Sequence, residues 1–183
     1  MSQNSKTPLG ATLQSQFSII VSFLAIFWLL EILDAFVFRG SLDQFGIYPR
    51  SLEGLRGIVF APFLHADFGH LIANSVPFVV LAWLVMLQEV SDFWIVTIIT
   101  MVVGGLGVWL IAPPNTVTVG ASILIFGYLG FLLLRGWFQK NLASIVLSLI
   151  VLVLYGSALW GLLPGRAGDS WQGPVCGCFG GAI

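Results

Sequence analysis

From Phe17 to Phe38 the chain runs through 22 mostly apolar residues. At 1.5 Å of helical rise per residue, that is enough to cross the roughly 30 Å of hydrocarbon in a bilayer. The pattern recurs at His70–Gln88, Phe93–Ala112, Gly120–Trp137 and Leu142–Leu163, and Trp171–Ile183 begins a sixth such stretch. In lipid every backbone donor and acceptor must be satisfied within the protein, so runs of this kind fold as helices. The sixth has only 13 residues, and therefore either stops inside the membrane or is truncated. The expectation is an all-α membrane protein, a six-helix transmembrane bundle over residues 17–183. Residues 1–16, whose only charge is Lys6, read as a disordered polar tail.

Composition narrows the function. Charged residues make up 8% of the chain and hydrophobic ones 58%, against roughly 25% charged in a soluble domain. The bilayer is the first partner implied. With a net charge of -1 and seven Lys or Arg spread thinly, no basic stripe exists to hold a phosphate backbone, which argues against nucleic acid. Cys176 and Cys178 stand two apart in a glycine-rich stretch, without metal-ligand spacing and too close for an unstrained bridge. No metal or cofactor is expected.

Basic residues orient the chain only weakly. Lys6, Arg135 and Lys140 would share one side and Arg39, Arg50, Arg56 and Arg166 the other. The two lysines on the N-terminal side favour a cytoplasmic N-terminus in the cell membrane.

Arg39–Gly69 is neither a span nor a plain hydrophilic loop. Leu52, Leu55, Val59 and Phe63 recur at near-helical spacing, with Arg50, Glu53 and Arg56 interspersed, which predicts a helix lying at the interface. Just before it, Glu31 and Asp34 share one helix face and read as solvated helix ends.

Three small motifs sit inside the apolar stretches. His70 and Asn74 are one helical turn apart on the second span, and both are costly in hydrocarbon unless they face a polar cavity or a partner. His65 reads as a loop residue bonded to backbone. Gly120-Ala121-Ser122 opens the fourth span after the breaker Pro113-Pro114-Asn115. Gly173, Gly177 and Gly181 form a ladder on the sixth, a flat face for close helix packing, with the small residues of the fourth span as its expected partner.

Taken in order, His65-x4-His70-x3-Asn74, Gly120-Ala121-Ser122 and Gly173-x3-Gly177-x3-Gly181 resemble the rhomboid family of intramembrane serine proteases. The long first loop and the number of spans agree. The resemblance implies a nucleophile at Ser122 in a water-filled recess opening to the extracytoplasmic side. It also implies an oxyanion hole made by the Ser122 amide with the side chains of His70 and Asn74. The substrate would be another membrane protein, cut in or beside a transmembrane segment that has locally unwound.

Two positions depart from the pattern. Ile123 stands where the family has glycine, and its branched side chain is expected to crowd the nucleophile or the oxyanion position. Pro174 stands where the family has its catalytic histidine. A serine hydroxyl is a poor nucleophile without an adjacent base. In a serine-protease site, loss of the histidine has cost on the order of 10^6 in turnover. The chain is therefore expected to be an impaired serine endopeptidase. The rival expectation is an inactive rhomboid-like protein that binds or escorts membrane-protein helices, and a third is an active enzyme whose sequence around Pro174 and Ile183 is altered.

Overall fold

The computed structural model describes residues 9–87, 89–156 and 171–183. Eight α-helices follow in chain order: α1 (Leu9–Leu33), α2 (Gly57–Phe60), α3 (Phe68–Met86), α4 (Val90–Ile99), α5 (Gly105–Ile111), α6 (Ser122–Gln139), α7 (Leu142–Tyr155) and α8 (Gln172–Ala182). A π-helical turn, Asp34–Phe38, prolongs α1. A second, Thr100–Gly104, joins α4 to α5 in a single membrane span. Three of these units are long and apolar enough to cross a membrane: Gly10–Phe38, Phe68–Met86 and Val90–Ile111. Within α6 and α7 lie the shorter apolar stretches Ser122–Gly136 and Leu142–Tyr155. The protein is an integral membrane protein with an all-α bundle. The far end of the fifth apolar stretch, to Leu163, lies outside the described residues.

One half of the bundle is packed with aromatic rings. Phe23 and Phe27 of α1 meet Phe78 of α3 at centroid distances of 5.5 and 5.1 Å. Phe93 of α4 lies 5.7 Å from Tyr128 of α6. The Tyr128 hydroxyl is 2.8 Å from Thr97 Oγ1, which in turn donates to the Phe93 carbonyl. A buried hydroxyl in hydrocarbon needs such a partner.

The first helix begins earlier than the sequence suggests. Residues 9–16, read as tail, are its opening turns. Gln16 is buried there, its Nε2 donating to the Met86 carbonyl at the end of α3 and its Oε1 accepting from Trp83 Nε1. A lone polar residue that reads as solvated is in fact a fastener for carbonyls left open at a helix end. Residues 1–8 lie outside the described residues.

Glu31 and Asp34 are buried, not solvated ends, at 5% and 6% exposure. Asp34 Oδ1 accepts from the Leu42 amide and so folds the chain from α1 into the first loop. Asp43 lies nearby, and burial, reinforced by Asp34 and Asp67, raises its pKa above the usual carboxylate range.

That loop forms helical turns at Ser41–Phe45 and from Glu53 to Phe63. Gly54, Gly57 and Ala61 point inward, while Leu52, Val59 and Phe60 are exposed. A Cβ on Gly57 would run into the backbone of Gly46 and Ile47, so the glycines permit close stacking and leave the apolar chains facing outward. The loop is then pinned to the segment before α6. Ile47 and Thr118 exchange amide hydrogen bonds of 3.0 and 3.1 Å, and the Gly120 amide donates to the Ala61 carbonyl at 2.9 Å.

Candidate active site

Gly120 closes this platform with a φ of +114°, in the region that glycine alone occupies without strain. A Cβ there would lie 2.6 and 2.8 Å from Cε1 and Nε2 of His70, and 3.3 Å from Nδ2 of Asn74. His70 and Asn74, one turn apart on α3, thus converge on the backbone just ahead of Ser122. Asp67 caps α3, its Oδ1 accepting from the His70 amide at 2.7 Å and so fixing the turn that carries His70. Asn74 is 7% exposed, and its Nδ2 has no hydrogen-bond partner among the described residues.

Ser122 is the first residue of α6, where backbone N–H groups have no intrahelical acceptor. The preceding Ala121 amide donates to Nε2 of His65 at 3.5 Å. His65 is 2% exposed, and its ring centroid lies 5.4 Å from those of both Phe27 and His70. Burial, aided by the neighbouring His70, pushes its pKa down to about 4 against the pull of the Phe63 backbone. A neutral imidazole there can accept through Nε2.

The opposite wall is α8. A Cβ on Gly173 would sit 3.9 Å from Ser122 Oγ, one on Gly177 would strike the Ile123 carbonyl, and one on Gly181 would strike the Gly127 carbonyl. The ladder therefore lies against the fourth span. Pro174 is half-buried in the first turn of α8. The first turn-closing amide there is that of Val175, which donates to the Trp171 carbonyl. The ring of Pro174 thus deletes a donor that had no partner to lose.

Ile123 is not where the sequence comparison puts it. Its side chain is 1% exposed and belongs to a buried cluster with Ile47, Ala61, Val108, Ala112 and Cys176. The α4–α5 unit supplies Gly104, whose Cβ would lie 3.0 Å from Ile123 Cγ2.

A second face of α8 was not legible from the ladder. A Cβ on Gly180 would lie 3.1 Å from the Thr100 Cα, and one on Gly107 would lie 2.8 Å from Cys176 Sγ. The signal was present as Gly104, Gly105 and Gly107 in the third apolar stretch, but small residues in a span do not name their partner.

The Rhomboid domain model matches residues 53–183, from the first loop through α8. The chain belongs to the rhomboid family. Similar relatives are proteins of Mycobacterium bovis and Mycobacterium tuberculosis, each named only as uncharacterized. Both are 43% identical over 173 residues, which cover 90% of this chain and 71% of theirs. A Mycobacterium leprae relative, named likewise, is 41% identical over 172 residues, covering 90% of this chain and 68% of its own. No solved structure matches the chain. In this rhomboid the motifs from α3, α6 and α8 meet at one end of the bundle, around the turn that carries Ser122.

Proposed function

We propose that this rhomboid is an intramembrane serine endopeptidase by descent, impaired in hydrolysis because Pro174 occupies the place of its general base. Ser122 Oγ is the nucleophile. It would attack the carbonyl carbon of a peptide bond in a locally unwound transmembrane segment of another membrane protein. The charge that develops on the carbonyl oxygen would be met by the Ser122 amide, His70 and Asn74. Preorganised donors of this kind each contribute roughly 3 to 4 kcal/mol in a site that excludes water. The observation that carries the reading is the convergence of His70 and the unpartnered Asn74 Nδ2 on Gly120, two residues before Ser122.

Among the described residues, neither Pro174 nor His65 offers the hydroxyl proton an adequate acceptor. Pro174 carries no basic atom, and His65, already accepting from the Ala121 amide, has a pKa of about 4. A base so weak is poorly matched to proton transfer near neutral pH.

Pro174 also favours a second reading, recognition of membrane-protein helices without hydrolysis. The two separate in one assay, with the chain reconstituted in vesicles beside a labelled transmembrane peptide that carries a photo-crosslinker. Crosslinking without product supports recognition alone, and slow product that depends on Ser122 supports an impaired enzyme. Neither crosslink nor product would defeat both. The two lysines, Lys6 and Lys140, support a cell-membrane orientation with the N-terminus in the cytoplasm.

A further inference from the structure

The residue after the nucleophile is isoleucine, and the site is built around it. Ile123 Cγ2 occupies the space that a Cβ on Gly104 would need, at 3.0 Å, and Cγ1 lies 3.7 Å from where a Cβ on Gly173 would stand. Its own backbone carbonyl lies against Gly177. The side chain is 1% exposed, in a buried cluster that draws on four other elements: Ile47 and Ala61 of the first loop, Val108 of α5, Ala112 of the segment before α6, and Cys176 of α8. Those same neighbours hold the platform behind Ser122, since Ile47 pairs with Thr118 and Ala61 accepts from Gly120.

We propose that Ile123 is a positioning residue, an α6 side chain seated in the crevice where the α4–α5 unit and α8 meet, that sets the distance from Ser122 to the first turn of α8. Its bulk is matched by the glycine at 104 and is not a lesion of the site. Removing it would leave a void into which α6 and α8 can settle, and the first turn of α8 would shift relative to Ser122. Close-packed interiors transmit such a volume change instead of absorbing it. The inference rests on the proposed function only in so far as the distance matters to chemistry. The distance itself is open to measurement without activity.

Position 173 tolerates a side chain, because its built Cβ meets nothing closer than 3.7 Å. In the full chain in membranes, the pair Ser122→Cys and Gly173→Cys should therefore form a disulfide on mild oxidation, identified as the linked peptide by mass spectrometry. The yield should hold with Ile123→Val and fall several-fold with Ile123→Gly. An unchanged yield with Ile123→Gly, or no bridge in the parent pair, would overturn the inference. A second arm uses the Pro174→His background, where Ile123→Gly should lower kcat about 10- to 100-fold with KM little changed, the scale expected when a reacting group is misplaced by about 1 Å. Higher turnover with Ile123→Gly than without it would also overturn the inference. If Pro174→His is inactive while the crosslinks behave as stated, the protease reading fails and the positioning role stands.

Discussion

The two halves of this bundle are held by opposite means. Around Phe23, Phe27, Phe78, Phe93 and Tyr128 the helices stand apart, and large rings fill the space between them. Around Gly104, Gly127, Gly177 and Gly181 the backbones themselves touch. Lipid tails are as apolar as the ring-filled core, so neither half is stabilised by exclusion from water in the way a soluble core is. The aromatic half relies on dispersion contacts, and the glycine half on the absence of side chains. Damage to the first should reduce stability while leaving the Ser122 turn in place. Damage to the second should move α8 away from Ser122 at a smaller cost in stability.

Phe78→Ala offers the largest expected effect. Phe78 is fully buried and packs against Phe23, Phe27 and Tyr128, so unfolding in detergent should show a loss of about 3–5 kcal/mol. The crosslink between positions 122 and 173 should persist in the population that remains folded. Its loss would mean that the two halves are not separable.

His65 joins the halves, its ring against Phe27 and its Nε2 on the Ala121 amide, and it should make the junction sensitive to acid. Its folded pKa of about 4 lies below the usual imidazole value of 6.5, so the unfolded chain takes up the proton first. Stability is full above pH 6.5, falls as the pH drops from 6.5 towards 4, and levels off below that. The contribution is about 3 kcal/mol, from 1.36 kcal/mol per pH unit. Unfolding measured between pH 7.5 and 4 should show this slope in the parent and lose it in His65→Gln. An equal slope in both would mean that His65 is not its source, and the raised pKa of Asp43 acts in the opposite sense, since a carboxyl that takes up its proton more readily when folded gains stability as the pH falls.

Gly177→Ala should cost less, about 1–3 kcal/mol, as small-to-large changes in a packed interior do. Its methyl would strike the Ile123 carbonyl, so α8 must move and the bridge between 122 and 173 should be lost. A variant with lowered stability and an intact bridge would contradict the division of labour between the halves.

Much of this was legible in the sequence because length and spacing are local properties. The apolar stretches named the spans, and Gly177 and Gly181, four apart, meet the backbone of Ile123 and Gly127, also four apart on the fourth stretch. What escaped depends on contacts across the bundle. Gln16 reads as tail until the open carbonyl of Met86 is placed beside it. The π turn at Thr100–Gly104, against which α8 lies closely, leaves no trace in an apolar run. Ile123 reads as an obstruction at the nucleophile, and only the glycine at 104, nineteen positions earlier in the chain, shows where the side chain goes. That Gly57 of the first loop stacks on the backbone of Gly46 and Ile47 is likewise a contact that the pattern of Leu52, Leu55, Val59 and Phe63 does not show.

The central claim is that Ser122 stands in a site complete except for its base. Cleavage of a labelled transmembrane substrate in vesicles, compared among the parent chain, Ser122→Ala, Pro174→His, and Pro174→His combined with Ser122→Ala, tests it most directly. The account predicts no Ser122-dependent product from the parent, product from Pro174→His without any change at Ile123, and none from the double variant. Cleavage by the parent chain that disappears in Ser122→Ala would contradict it, and would mean that another group serves the serine as base.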